Sequence, residues 1–290
     1  MKRVLFLTTS LFICLTAVAQ APDPVGGTTT EPGPRDRPYE VMTNQNRRMV
    51  PYPSMRQTDV MFERRVWREI DLREKMNQPY YYPINPTNGR KNFITIVIDG
   101  LTTQADRYRA YDALSDDFMV MISSSDVASM GAYSDTQWIP DPEPPYTPKP
   151  QVISEPFKPE NVKKIWLKED WIFEKQMSVM VPRILGFCPL MQEFDRNTGE
   201  FRFNKPMYWV YFPTFREVLA VNEVYNTANH GQRLTYDDIF EKRLFSSKIW
   251  KVDNVFDRRI EDYVKGLDAL LEGEGVKNEL FLFEHDLWEQ

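Results

Sequence analysis

Met191-Gln-Glu-Phe-Asp-Arg-Asn-Thr-Gly-Glu-Phe-Arg-Phe203 places two short apolar segments on either side of a turn. Met191–Phe194 and Phe201–Phe203 flank Asp195-Arg-Asn-Thr-Gly199, and Asp, Asn and Gly are residues that turns favour, so the stretch predicts a β-hairpin. Upstream, Val162–Trp171 and Met177–Phe187 show mixed alternation, with Pro182 marking an edge position or a bulge. Downstream, Met207-Tyr-Trp-Val-Tyr-Phe212 reads as a further strand. Together these segments predict an antiparallel meander. Helices follow. Thr214-Phe-Arg-Glu217 and Thr235-Tyr-Asp-Asp238 both have the Thr-x-x-acid form of a capping box. Asn254–Leu271 sets Phe256, Ile260, Tyr263, Val264, Leu267 and Leu271 on one helical stripe, with Gly273 as the stop. Strands followed by helices predict an α+β fold, with residues 160–290 as a meander packed with helices.

Residues 58–138 read as helix, strand, helix, strand, a smaller N-terminal α/β portion. Its first helix is predicted in Trp67-Arg-Glu-Ile-Asp-Leu-Arg-Glu-Lys-Met-Asn-Gln78. There Glu69 with Arg73, and Asp71 with Lys75, are i,i+4 pairs in the favourable order, and Pro79 ends the helix at Gln78. Phe93–Ile98 is β-branched and predicts a strand, Gln104–Leu114 a helix, and Phe118–Ile122 a second strand. Two proline-rich stretches punctuate the chain. Residues 20–57 hold seven prolines and no apolar periodicity, which predicts a flexible arm. Residues 139–159 hold eight, between Pro140 and Pro159, which predicts an extended connector or surface arm.

The N-terminus has its own signature. Lys2 and Arg3 precede an apolar run, Val4 to Val18, that ends at the small-x-small site Ala17-Val-Ala19. This pattern predicts a secretory signal peptide over residues 1–19 and an exported chain beginning at Gln20. Cys14 lacks the small neighbours of a lipid-attachment site. Cleavage takes the net charge from −6 to about −8 and leaves Cys188 as the only cysteine, so no internal disulfide is expected. An acidic chain without a dominant basic face argues against a nucleic-acid partner.

Residues that could carry chemistry are few. His285 lies between Glu284 and Asp286, but adjacent residues in a strand point to opposite faces, and no second histidine has helical spacing to it. His230 lies in the polar stretch Asn226–Gly231. Cys188, among apolar neighbours, reads as a core thiol. Asp116-Asp117 and Asp237-Asp238 are adjacent rather than opposed, and the second pair opens a helix, where acids favour the dipole. Ser123-Ser-Ser-Asp126 lacks the glycines and lysine of a phosphate loop. No catalytic, cofactor-binding or metal residue is therefore nominated. Aromatic residues are abundant, with seven tryptophans and fourteen tyrosines. Those near proline or polar surface, Tyr52, Tyr80, Tyr81, Tyr82 and Tyr146, lean toward protein–protein contact. Trp67 joins the last four as a candidate interface residue.

Several blocks carry a family resemblance: Trp67–Pro83, Trp171-Ile-Phe-Glu-Lys-Gln-Met-Ser-Val-Met180, Ile184-Leu-Gly-Phe-Cys-Pro-Leu190, Tyr236-Asp-Asp-Ile-Phe-Glu-Lys-Arg-Leu-Phe-Ser-Ser247 and Phe283-Glu-His-Asp-Leu-Trp-Glu289. In this order, across residues 58–290, they resemble the gliding-motility family GldN, called PorN in secretion-only relatives, a component of type IX secretion. The resemblance implies a non-catalytic periplasmic protein at the inner face of the outer membrane. It implies a ring built with a GldK/PorK-type lipoprotein, meeting a GldM/PorM-type shaft and a GldL/PorL-type motor. It supplies no catalytic residues. Two other readings remain at this stage. One is a periplasmic ligand-binding module that contacts peptidoglycan, marked by an aromatic pocket. The other is a secreted hydrolase, marked by opposed carboxylates in a cleft.

Overall fold

An eight-stranded antiparallel sheet organises the chain, in the order β12 (Lys248–Val252), β1 (Val60–Asp71), β6 (Val162–Glu174), β7 (Val179–Phe194), β9 (Tyr208–Tyr211), β2 (Ala110–Asp112), β3 (Met121–Ile122), with β8 (Phe201–Pro206) also on β7. The computed structural model describes residues 38, 44, 46–87, 89–140, 148–155, 157–195 and 198–286, with the backbone alone for 133–140 and 148–155. The elements in chain order are β1 (Val60–Asp71), α1 (Gln78–Tyr81), α2 (Phe93–Thr103), β2 (Ala110–Asp112), β3 (Met121–Ile122), α3 (Ser124–Ser129), β4 (Tyr133–Pro140), β5 (Pro148–Glu155), β6 (Val162–Glu174), β7 (Val179–Phe194), β8 (Phe201–Pro206), β9 (Tyr208–Tyr211), α4 (Phe212–Val221), β10 (Glu223–Val224), β11 (Leu234–Thr235), α5 (Tyr236–Glu241), β12 (Lys248–Val252), α6 (Ile260–Tyr263) and α7 (Leu267–Asp286). The fold is α+β. The predicted meander is β6-β7-β8, turning through Asp195 and Gly199. Pro182 pairs with Trp171 on one side, at a point of β7 where neither β8 nor β9 runs alongside, so it sits where the strand is open on its other side.

Alternation divides the sheet into two faces. Ile70, Ile165, Leu167, Phe187, Tyr208 and Val210 point to the main core, where α2, α4 and α5 contribute Phe93, Val97, Phe215, Leu219 and Phe240. At the β12 end of the same face, Val66 and Ile249 meet Val276 and Leu280 of α7. The opposite face carries Trp67, Cys188 and Trp209.

The N-terminal half departs from the sequence reading. Trp67–Asp71 is strand rather than helix, and it pairs with both β6 and β12. Glu69 finds Lys164 (2.8 Å) and Lys248 (3.2 Å) across the strands, not Arg73. Two-sided burial of β1 outweighs pairs worth about 0.2–0.5 kcal/mol each. The helix starts, rather than stops, at Gln78. Phe93–Ile98 is helical: the Asn92 side chain caps it by accepting the Thr95 N–H at 2.7 Å. Gln104–Leu114 is turn and short strand, and Phe118–Ile122 keeps only two strand residues, Met121 and Ile122. β1, β2 and β3 all join the one antiparallel sheet.

Further corrections fall in the C-terminal half. The helix containing Thr214 begins at Phe212, so Thr214 lies inside it, its hydroxyl donating to Tyr211 O (3.1 Å). The Thr235–Asp238 capping box is present. The stripe over Asn254–Leu271 is not one helix: residues 254–259 form a turn, and α6 and α7 are separated at Gly266, whose φ of +67° favours glycine. Gly273 lies inside α7 instead of ending it. In the proline-rich stretch, Pro148–Glu155 pairs with Tyr133–Pro140 over eight registered positions, a hairpin forming its own two-stranded sheet. Within the predicted arm, Arg47, Val50 and Tyr52 contact the body, at Asp238, Arg216 and Glu241. The predicted signal peptide, residues 20–37, 39–43 and 45 of the predicted arm, and Tyr146 are outside the described residues.

Candidate functional site

Each residue of the Trp67–Pro83 block has its own fate. Trp67 is buried on the second sheet face, where its Nε1 donates to Asp116 Oδ2 (2.6 Å) and Lys251 and Lys168 lie 4.5 and 5.7 Å from the ring. Asn77 is fully buried. Its Nδ2 donates to Asp71 O (2.8 Å) and Ser246 O (2.9 Å), and its Oδ1 accepts the Ser246 N–H (2.9 Å). That single amide ties the turn after β1 to the loop before β12. Tyr80 is fully buried, with Phe240, Phe93 and Tyr236 within 5.3–6.1 Å. Neither Trp67 nor Tyr80 presents a surface to a partner, because both rings are used by the chain's own packing. Tyr81 is half-buried, donating to Glu160 O (3.2 Å) under Lys163, whose ammonium also meets its hydroxyl.

Tyr82 differs: it is 51% exposed. It lines a groove of about 790 Å³ with Met76, Pro79, Pro83, Arg90 and Tyr225. Met76 and Tyr225 are also largely exposed, at 52% and 44%. Tyr225 is held from two sides, by Arg90 (5.6 Å) and by His230, whose Nε2 lies 2.8 Å from its hydroxyl. Arg90 is in turn fixed by Glu223 (3.3 Å), which also pairs with Arg233. Burial works to raise the Glu223 carboxyl, but these two guanidiniums outweigh it and hold it below the ordinary value. The groove therefore brings together tyrosine, methionine and arginine side chains, residue types that protein contacts favour. Tyr225 and Arg90 escaped the sequence reading, because proline neighbours singled out Tyr82 and Tyr225 has none.

Two other regions concentrate aromatic residues. On the second sheet face Trp166 and Trp250 stack at 4.5 Å, with Arg259 5.4 and 5.1 Å from their centroids. Tyr52 in the N-terminal segment lies between Arg183 (4.2 Å) and Arg216 (4.3 Å), its hydroxyl bonded to Glu241. Arg216 also donates to Val50 O (2.9 Å) and makes a forked pair with Asp237, at 2.7 and 3.2 Å. Residues 47–53 are thus strapped across α4 and α5 by one buried guanidinium.

The groups considered for chemistry are engaged in structure. Cys188 is fully buried, and burial pushes its thiol up to about 12 against the pull of two backbone N–H groups. His285 sits on α7, not a strand, beside Phe281. Asp116 serves Trp67 and Lys168, Asp237 serves Arg216, and Asp238 closes the capping box and pairs with Arg47 (2.6 Å). Ser123 caps α3. Among the described residues, no group of three or more His, Cys, Asp or Glu side chains is placed to hold a metal, and no helix is long and apolar enough to cross a membrane.

An α+β body whose ionisable groups serve packing, with an aromatic-rimmed groove, has the features of a structural or docking protein. The chain belongs to the GldN family, the gliding motility associated proteins, whose model matches residues 55–289. It is accordingly a component of the gliding motility and type IX secretion machinery, and its family is not known as one of enzymes. No curated protein matches it.

Proposed function

We propose that this protein is a non-catalytic structural component of that machinery. In this reading it works in the periplasm, at the inner face of the outer membrane. There it forms a ring with a GldK/PorK-type lipoprotein and meets a GldM/PorM-type shaft with its GldL/PorL-type motor. The observation that carries the reading is the family match over residues 55–289. Two structural features support it. The β4–β5 hairpin pairs with no strand of the main sheet, and a lone hairpin is at best marginally stable in water, so a neighbour that covers it would stabilise it. The Tyr82–Tyr225 groove offers half-exposed aromatic side chains on a fixed floor.

Pull-down from native membranes followed by size-exclusion chromatography tests the reading. Co-elution with a lipoprotein in a particle far larger than 34.3 kDa is expected. Removing Tyr133–Glu155 should weaken that particle while leaving the body folded. A strictly monomeric native protein without a lipoprotein partner overturns it. The aromatic lining of the groove favours one second reading, a module that binds peptidoglycan. Glycan binding by an isolated monomer, abolished by Tyr82→Ala, would select that module instead.

A further inference from the structure

Helix α7 has two apolar sides. At 3.6 residues per turn, Gly273, Val276 and Leu280 share the side packed on Val66 and Ile249. Leu267, Leu271 and Leu282 fall on the opposite side, with Leu270 and Phe281 on its flank, and all five are 48–71% exposed. A specific interface covers roughly 1,000 Å² or more in total, so a partner must cover this strip along its length.

We propose that this side of α7 packs against α7 of a second copy of the chain, antiparallel about a two-fold axis between residues 275 and 276. The charge pattern selects this occupant. With that axis, Leu270 of one copy faces Phe281 of the other, and Leu271 lies beside Leu282. Glu274 faces Lys277 in both directions. These two charges already reach each other within one helix, at 3.2 Å, so they are neighbours on the same seam. The remaining acids do not oppose the pairing. Asp268, Glu272 and Glu279 occupy a different side of the helix, where Arg64 pairs with Glu279 (2.7 Å) and Tyr263 with Glu272. A two-fold contact of this kind uses the same patch twice and closes on itself. This inference is independent of the secretion reading, since it is tested on purified protein alone.

Sedimentation equilibrium of the purified chain is the test. A concentration-dependent dimer is expected. Phe281→Glu and Leu271→Glu should each weaken it at least about tenfold, because both place a charge in the apolar seam. Both positions are largely solvent-facing in one copy, so the thermal midpoint of the dilute monomer should not fall. Glu274→Lys and Lys277→Glu should each weaken the dimer, and the double exchange should restore it. A monomer at every concentration overturns the proposal. So does a dimer indifferent to Phe281→Glu, or a double exchange that fails to restore association.

Discussion

Two glycines two residues apart in α7 should respond oppositely to the same substitution. At Gly273 a Cβ would stand 2.6 Å from Ile249 O, a backbone atom, while at Gly275 it would meet nothing within 4 Å. In both places alanine improves helix propensity by about 1 kcal/mol. At Gly275 nothing opposes that gain, so Gly275→Ala should stabilise the protein by about 1 kcal/mol. At Gly273 the methyl cannot be relieved by a side-chain rotation. Ile249 is held in register against Arg68 of β1, so helix or strand must shift. Overpacking of this kind costs about 1–3 kcal/mol. Taking the middle of that range leaves Gly273→Ala about 1 kcal/mol less stable than the parent, and the two variants about 2 kcal/mol apart. Urea unfolding followed by tryptophan fluorescence would measure both, and the thermal midpoints should separate by about 4–8 °C for a chain of this size. If Gly273→Ala is as stable as Gly275→Ala, α7 does not lie against β12 as described, and the proposed dimer seam loses its foundation.

Arg216→Met should destabilise by about 3–5 kcal/mol, because it leaves the buried Asp237 carboxylate without its partner. The same variant should expose residues 47–53 to limited proteolysis, since Arg216 also holds Val50 and Tyr52. For Glu69, burial works to raise the carboxyl, but bonds from Lys164 and Trp166 and the nearby charge of Lys248 hold it below the ordinary value. A depressed carboxylate stabilises the fold above its unfolded pKa, and that contribution is lost as pH falls through the folded value. The urea midpoint should therefore be flat near neutrality and decline below about pH 4, less steeply in a folded Glu69→Gln variant. Cys188 should resist a soluble thiol reagent in the native protein and react on unfolding. His230→Gln and His285→Gln should leave secretion intact wherever the protein accumulates normally, and a folded, abundant His285→Gln protein that blocks secretion would reopen a chemical role.

The meander and the α5 cap were legible because each rests on local chemistry. The β6-β7-β8 segments alternate and are joined at Asp195–Gly199 by turn residues, and Thr235 and Asp238 satisfy each other across three positions. The N-terminal half was not legible because distant residues decide it. Glu69 and Asp71 have helical partners in sequence, yet β6 and β12 arrive on either side of β1 from about one hundred and one hundred and eighty residues away and replace those pairs with cross-strand ones. Phe93–Ile98 was ambiguous by nature: a short continuous apolar run fits a buried helix as well as a strand. Its helical sign was Asn92, whose side chain takes the first free amide. The stripe over Asn254–Leu271 failed for another reason. Both sides of α7 are apolar, so a single periodicity could be traced through the Gly266 break onto the wrong side.

The same limit explains the candidate interface. Tyr80, Tyr81 and Tyr82 are identical in type and share their proline neighbours, so composition nominated all three. The backbone separates them. Tyr80 and Tyr81 belong to α1, and consecutive helical residues turn by about 100°, which sends Tyr80 into the core and leaves Tyr81 on its rim under Lys163. Tyr82 follows the helix in extended conformation and so points elsewhere, into the groove. What fixes α1 in place is Asn77, bonded to the backbone of residues 71 and 246. A substitution there should act on all three tyrosines at once. Asn77→Ala should leave the amide of Ser246 without its acceptor at a buried site, a loss of about 1–3 kcal/mol. It should also loosen the groove wall that carries Met76 and Tyr82. Tyr82→Ala should touch the groove alone. If partner capture depends on the groove, both variants should reduce it, but only Asn77→Ala should lower the unfolding midpoint. Equal midpoints for the two would mean that Asn77 does not hold this turn.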